Sequence, residues 1–343
     1  MRRVSVLSSS PPALRRGQHA PKAWVESPLQ LLSAVEAHHA GLLGHGTEVV
    51  LRSGVDPLVA TAAEVERLGP HRGLAGVHVG TRVPLPAGTG TLVIGDAFSG
   101  TVQRRLLTLR AQRLVIADDG LATIHLLELL AAPDPRPLIR ARARPTMARQ
   151  ALGLAAATRL RALGRAGRVV VFTALPVPEE LRTAVTAHGI EVVAHDFPWL
   201  RSRPAGPPPQ ERQVVLGSSL VANGLVHRER YLEWIAGLAA VEPIAYRPHR
   251  REDPADLAEL RRDPRVSVAE PGPPVEVCLR GLTREHRVIS LPSTALTSLR
   301  LVLRGNGTTI EGVTVPAEWW TERADAALRE HLSLFLDGPG TTR

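Results

Sequence analysis

The segment 115–120 joins an apolar run to two adjacent acids, Asp118 and Asp119, followed directly by Gly120. The carboxyl ends of strands in open α/β sheets border ligand sites, so we expect these carboxylates to face a substrate. A carboxylate buried at such an edge has a raised pKa and can act as a general base toward a hydroxyl group. The alternative interpretation is that the acids cap the helix predicted to begin near Leu121, a position where aspartate is common.

The two acids also bear on metal binding. They lack the acid-x-acid spacing that would put both carboxylates on one face of a strand to hold a divalent ion. Several histidines of the first half, such as His38 and His125, show no coherent metal-ligand spacing. We therefore predict a mechanism that requires neither a metal nor another cofactor.

A histidine among arginines follows a different predicted strand. His249 comes after the strand 243–246 and lies between Arg247 and Arg250. A protonated imidazole donates to a phosphate oxygen and arginine adds fixed positive charge, so this segment is suited to an anion. The alternative is an exposed histidine in a basic turn.

Two further segments offer hydroxyl groups next to free backbone N–H groups. Ser293 and Thr294 begin an apolar helical pattern, and Gly217, Ser218 and Ser219 follow a predicted strand. The first N–H groups of a helix have no partner within the helix and bind phosphate oxygens. Helix capping by the same hydroxyls is the alternative. The chain has neither a Walker A loop nor a dinucleotide-binding fingerprint.

Polar residues follow two more strand ends in the first half of the chain. Ser27 and Gln30 open a predicted helix after the first strand, and Asp96 and Ser99 follow the strand 91–95. Residues at these positions contact a second substrate or cap helices, and the sequence leaves both interpretations open.

Apolar runs that alternate with amphipathic stretches predict the elements that position these residues. The first half follows a βαβ rhythm with six strands, predicted at 23–26, 48–51, 91–95, 113–117, 168–172 and 190–194. A proline-rich stretch then interrupts the pattern, and a second α/β series follows it. The sequence therefore predicts an α/β protein of two Rossmann-like domains facing a cleft. The predicted bounds are a disordered tail 1–22, a domain 23–200, a linker 201–212, a second domain 213–337 and a tail 338–343.

Composition excludes several classes. The chain has 343 residues, a net charge of +9 and a pI near 11.1. Lys22 is the only lysine, so the basic charge is almost all arginine. Cys278 is the only cysteine, which excludes an intrachain disulfide and favours a reducing cytoplasmic location. No apolar run approaches the length of a membrane helix, so any membrane association is expected to be peripheral.

Five motifs taken together resemble the bacterial polysialyltransferase and lipooligosaccharide sialyltransferase families. The similarity covers about residues 23–310. Its motifs are the segment 27–36, Gly95-Asp96-Ala97-Phe98-Ser99, Asp118-Asp119-Gly120, Pro248-His249-Arg250 and Pro292-Ser293-Thr294-Ala295-Leu296. The resemblance implies a type B glycosyltransferase (GT-B) fold, with the acceptor on the side of the first domain and the nucleotide sugar held mainly by the second.

The resemblance also implies a reaction. It is an inverting, metal-independent transfer of a sialic-acid-type sugar from a CMP donor to a hydroxyl of a glycan acceptor. Asp118 would be the base and Asp119 would orient it, while His249 would bind the CMP phosphate and act as its general acid. Ser293 and Thr294 would hold the same phosphate. The order Pro248-His249 departs from the His-Pro order of many members, which suggests a subgroup.

The expected partners are the CMP-activated sugar and a glycan acceptor, with no nucleic acid and with a homodimer as one option for the assembly. Two other functions compete with this one. One is a type B transferase or epimerase that uses a different sugar nucleotide. The other is a polyanion-binding protein driven by the arginine excess, against which the low aromatic content of 3% argues.

Overall fold

A computed structural model describes residues 20–69, 74–84, 90–110, 113–141 and 143–336. The chain divides into two compact units, Met1–Arg203 and Pro204–Arg343. The division falls inside the stretch 201–212, where prolines and glycine leave few side chains to bury. Each unit is built around its own parallel sheet.

Among the described residues, unit 1 has a seven-stranded sheet with covering helices. Its strands are β1 (Lys22–Val25), β2 (Thr47–Arg52), β3 (Leu74–Gly80), β4 (Thr91–Ile94), β5 (Arg113–Ala117), β6 (Val169–Thr173) and β7 (Ile190–Ala194). Its helices are α1 (Pro28–His39), α2 (Asp56–Arg67), α3 (Gly100–Leu107), α4 (Leu121–Ala131), α5 (Met147–Arg165), α6 (Glu179–Thr186) and α7 (Pro198–Arg201).

The strand order of unit 1 is β3-β2-β1-β4-β5-β6-β7, and the paired strands run parallel. This is the doubly wound order, in which the chain switches direction between β1 and β4. Central strands of such a sheet are covered on both faces, and accordingly β6 is buried at every position. The loops after β1 and β4 therefore open at a topological switch point.

A buried acid anchors the last helix of unit 1. Glu36 on α1 is fully buried, and its carboxylate accepts hydrogen bonds from the backbone N–H groups of Trp199 (3.0 Å) and Leu200 (2.9 Å). These N–H groups belong to the first turn of α7 and have no partner within that helix. Burial raises the pKa of Glu36 to about 7 despite the two donors.

Unit 2 is also a parallel sheet with helices, and it has five strands among the described residues. They are β8 (Gln213–Leu216), β9 (Ile244–Arg247), β10 (Val266–Val268), β11 (Arg287–Ser290) and β12 (Thr309–Gly312), in the order β10-β9-β8-β11-β12. The helices are α8 (Ser219–Ala222), α9 (Arg228–Val241), α10 (Pro254–Leu260), α11 (Val275–Cys278), α12 (Thr294–Val302), a 3₁₀ turn (Ala317–Trp319) and α13 (Ala326–Ser333). The switch point of this sheet lies between β8 and β11.

The predicted α/β class with two Rossmann-like domains is confirmed, and the differences concern edge strands. The sequence prediction missed β3, β10 and β12, which are all outermost strands of their sheets. Edge strands bury less and so lack a continuous apolar run; β3 has two glycines, and only Leu74 and Gly76 of its seven residues are buried.

The two predicted tails fall almost entirely outside the described residues. The exceptions are residues 20–22, of which Lys22 is the first residue of β1 rather than the last of a tail. In the part of the chain that the structure describes, every helix is too short or too polar to span a bilayer.

Candidate functional site

The first candidate cluster lies at the carboxyl edge of the unit 1 sheet. Asp118 and Asp119 follow β5, Asp96 and Ser99 follow β4, and Ser27 follows β1. Because β1, β4 and β5 are adjacent and parallel, the three loops meet at one edge. The predicted polar residues of unit 1 are therefore brought together.

Asp118 is the buried member of the acid pair, with 3% of its surface exposed. Its Oδ1 accepts from the Gly120 N–H (3.0 Å) and the Thr123 hydroxyl (2.8 Å). Its Oδ2 accepts from the Thr173 hydroxyl (2.9 Å) and the Ala174 N–H (3.1 Å). Burial raises the pKa of Asp118, while these four donors act in the opposite direction. This carboxylate ties β5, α4 and the end of β6 together.

Asp119 is half-buried and points elsewhere, as expected for neighbours on an extended backbone. Its Oδ1 accepts a hydrogen bond from the Ser27 hydroxyl at 3.1 Å, and its backbone N–H donates to Thr123. Ser27 in turn caps α1 by accepting from the Gln30 N–H at 3.4 Å. The loops after β1 and β5 are thus joined through Asp119, the acid of the pair that solvent reaches.

Replacing Asp118 by alanine is expected to lower stability. The substitution leaves two buried N–H groups and two hydroxyls without their acceptor, at a cost of about 2–4 kcal/mol in unfolding free energy. Urea denaturation followed by circular dichroism measures the loss. Asp119→Ala serves as the matched control, because removing a carboxylate that is only half-buried should shift the midpoint much less.

The Gln30 side chain is buried, with 2% of its surface exposed, and its contacts are with other residues of the protein. Its Oε1 accepts from the Glu26 N–H at 2.7 Å, and its side chain lies against Gly95. A Cβ at position 95 would come within 2.2 Å of the Gln30 side chain, so only glycine fits there. Gln30 and Gly95 therefore shape the switch point, and the predicted contact of Gln30 with a substrate stays a prediction.

Glu26 belongs to the polar segment 26–30 that the sequence singles out after the first strand, although only Ser27 and Gln30 of that segment were predicted as site residues. It follows β1 directly and accepts from the Ser99 hydroxyl (3.2 Å) and from Arg52 (3.2 Å). Burial, and then the negative charge of Asp96, raise the pKa of Glu26. Asp96 itself accepts from Arg140 at 2.6 Å and from the Phe98 N–H at 2.8 Å. The sequence feature that indicates a role for Glu26 is its position at the end of the first predicted strand.

The second candidate cluster lies at the carboxyl edge of the unit 2 sheet. Gly217, Ser218 and Ser219 follow β8, His249 follows β9, and Ser293 follows β11. These three strands are adjacent in the order β9-β8-β11 and run parallel. The structure therefore brings the predicted phosphate-binding residues of unit 2 to a single edge at the switch point.

His249 is half-buried and neutral in the free protein. Burial, and then the positive charges of Arg250 and Arg251, lower the pKa of His249 to about 4. Its Nδ1 lies 3.2 Å from the Arg251 N–H, which donates to it, so the ring proton resides on Nε2. A neutral imidazole in this tautomer offers one Nε2–H donor. Arg250 beside it is exposed.

Glu252 is the residue of unit 2 that sequence reasoning missed. Its Oε1 accepts from the Ser218 N–H (3.1 Å) and from the Tyr246 hydroxyl (2.5 Å), and its Oε2 accepts from the His249 N–H (2.9 Å). The Tyr231 hydroxyl lies 2.7 Å from that of Tyr246. Burial raises the pKa of Glu252. This carboxylate joins the loops after β8 and β9.

Gly217 allows that junction to form. A Cβ at this position would lie 2.5 Å from the Glu252 carboxylate and 2.6 Å from the His249 nitrogen. Neither neighbour is the far end of a mobile side chain, because the Glu252 carboxylate is held by the Ser218 N–H, the Tyr246 hydroxyl and the His249 N–H. The close approach therefore requires glycine.

The hydroxyl residues begin two helices. Ser218 Oγ accepts from the Leu220 N–H at 3.1 Å, and Ser293 Oγ accepts from the Ala295 N–H at 3.2 Å. Ser218 is buried, whereas Ser219, Ser293 and Thr294 are half-buried. The capping interpretation thus applies to Ser218 and Ser293.

No group of three His, Cys, Asp or Glu side chains within the described ranges is arranged to hold a metal ion. The acid cluster and the histidine cluster belong to different units.

No family model matches the chain, and no curated protein matches it significantly. Among solved structures, the chain is similar to an α/β-galactoside α-2,3-sialyltransferase from the luminous marine bacterium Photobacterium phosphoreum. That match has 9% identity and a TM-score of 0.51, and it covers 93% of this chain and 96% of the other. A UDP-GlcNAc 2-epimerase from Methanocaldococcus jannaschii matches with 10% identity and a TM-score of 0.43, over 85% and 89% of the two chains. The likeness to the sialyltransferase concerns the fold.

Proposed function

We propose that this chain is an inverting, metal-independent glycosyltransferase that moves a sialic-acid-type sugar from a CMP donor to a hydroxyl of a glycan acceptor. Two facts support it. The five sequence motifs resemble bacterial sialyltransferase families, and a sialyltransferase has a similar fold over 93% of this chain. The observation that carries the proposal is the placement of both motif sets at the switch points of their sheets.

The donor phosphate is assigned to unit 2. His249 offers an Nε2–H donor, and Arg250 contributes a fixed positive charge next to it. The half-buried Thr294 and the first turn of α12 supply a hydroxyl and N–H groups from the adjacent loop. A phosphate between them would receive a donor from each loop, which is how helix N-termini and imidazoles bind such groups.

The acceptor hydroxyl is assigned to unit 1, with the two acids in the reverse of the roles that the sequence suggested. The Asp118 carboxylate already accepts four hydrogen bonds and is buried. Asp119 is half-buried and is held by Ser27. We therefore assign Asp119 as the general base and Asp118 as the residue that positions it.

The reaction then follows from these assignments. Asp119 takes the proton of the acceptor hydroxyl as its oxygen attacks the anomeric carbon of the donor sugar. The bond from that carbon to the phosphate oxygen breaks, and its electron pair stays on the leaving CMP. The His249 Nε2–H donates to this phosphate oxygen and stabilises the charge that develops on it.

Nucleotide binding tests the donor class. A ligand at about 100 times its Kd adds about 2.7 kcal/mol to stability, which shifts Tm by several degrees for a chain of this size. CMP is expected to produce that shift in the presence of EDTA, whereas UDP and GDP produce little. A larger shift with UDP or GDP would instead assign the chain to transferases or epimerases that use those nucleotides.

A further inference from the structure

An apolar groove on unit 1 lies between α3 and α5. It has a volume of about 590 Å³ and is formed mainly by Leu107, Ala151, Leu154, Ala155 and Ala162. Leu107 is 44% exposed and Leu154 is 41% exposed, while Met147 at the start of α5 is 87% exposed. Soluble surfaces seldom place several large apolar side chains together unless something binds there.

The chain around this groove is strongly cationic. Between Asp134 and Glu179 the sequence has nine arginines and no acid. Helix α3 likewise contains Arg104 and Arg105 and no carboxylate. Arg140 pairs with Asp96, and Arg159 lines the groove itself. An apolar groove in such a cationic part of the chain attracts a partner that is itself both anionic and apolar.

Three arginines of α5 donate hydrogen bonds to neutral groups of the protein. Arg149 donates to the Gln103 side chain and the Phe98 carbonyl, Arg159 donates to the Leu109 carbonyl, and Arg161 donates to carbonyls that include that of Pro133. All of these acceptors are neutral oxygens. Arg161 is buried and is also attracted by Asp134. Arg149 and Arg159 donate to no carboxylate in these contacts, so their positive potential extends to the surroundings of the helix.

We propose that this face, which we call the α3/α5 face, docks on a membrane surface rich in anionic phospholipids. The exposed leucines and methionine would enter the headgroup boundary while the arginines pair with lipid phosphates, as in interfacial amphipathic helices. A second copy of the chain fits less well, because symmetric pairing would place the same arginines against each other. Nucleic acid fits less well too, because the groove has no aromatic ring on which a base could stack.

Vesicle sedimentation of the purified full-length protein tests this proposal without any activity measurement. The protein should sediment with equimolar phosphatidylglycerol and phosphatidylcholine vesicles at low salt, and much less with pure phosphatidylcholine. Leu154→Glu puts a carboxylate on the docking face and should lower the bound fraction about tenfold. Val241→Glu makes the same change at a valine on unit 2 that is 87% exposed, and it should bind like the parent protein.

Melting curves of both variants establish that they are folded. A second variant, Leu107→Ser with Leu154→Ser, removes apolar surface without changing charge and should also weaken binding. Three results would overturn the proposal. The parent protein does not sediment with anionic vesicles; the Leu154 and Val241 variants bind equally well; or Leu154→Glu changes only the oligomeric state in light scattering, which would make the face a contact between copies of the chain.

Discussion

Asp119→Asn is expected to reduce sugar transfer by about 10²–10⁴-fold, the range attributed to a general base, while leaving the fold and CMP binding unchanged. Asparagine has the same size and its carbonyl can still accept the Ser27 hydrogen bond, but the amide cannot take a proton. Turnover of a CMP-sialic acid donor with a glycan acceptor measures the loss. Hydrolysis of the donor by water should fall as well, since water also needs a base.

Asp118→Asn is the informative comparison. Its amide would present N–H groups to donors that now face a carboxylate, so we expect a lower melting temperature and a partial, indirect loss of activity. Two results together would return the role of base to Asp118. They are an inactive Asp118→Asn variant that melts like the parent protein and an Asp119→Asn variant that keeps its turnover.

His249→Ala is the second change with a large expected effect. Removing the Nε2–H donor should weaken CMP binding and lower kcat/KM by about 10²-fold or more, because the phosphate then loses both an anchor and the group that stabilises the departing charge. His227→Ala is a matched control, since His227 is an exposed histidine of the same unit at the start of α9.

His249 should also make CMP binding depend on pH. With a pKa of about 4 in the free protein, His249 is neutral at pH 7. A bound phosphate dianion favours the imidazolium, so CMP binding should raise that pKa and take up a proton. NMR titration of the imidazole with and without CMP measures the shift. An unchanged pKa would mean that His249 does not contact the phosphate, whatever the alanine variant does to activity.

The sequence predicted where polar residues leave strands but not how each one is used. Strand ends at Ala117 and Arg247 are visible as apolar runs that stop at Asp, Gly or Pro, so the loops could be placed. The roles within the pair Asp118 and Asp119 depend on Thr173 from β6 and Ser27 from the loop after β1. Those partners are distant in sequence, and no local pattern reports them.

Partners that are distant in sequence also explain why Glu252 was not predicted as a site residue. It lies three residues after His249 in a charged turn, where acids usually face solvent. Its burial results from two phenols on α9 and β9 and from a glycine at the end of β8. Three of the four edge strands, β3, β10 and β12, were missed for a related reason: a strand with one neighbour is specified by pairing as much as by its own hydrophobicity.

The phenols beside Glu252 make this loop observable by spectroscopy. The chain has two tyrosines, Tyr231 and Tyr246. Their hydroxyls are hydrogen-bonded to each other, and that of Tyr246 donates to Glu252, which also accepts from the His249 N–H. Burial is the main cause that holds both phenol pKa values above their usual range. Fluorine-labelled tyrosine would therefore give two resonances without background from the rest of the protein. An alkaline absorbance titration should likewise show no tyrosinate near pH 10 until the unit opens.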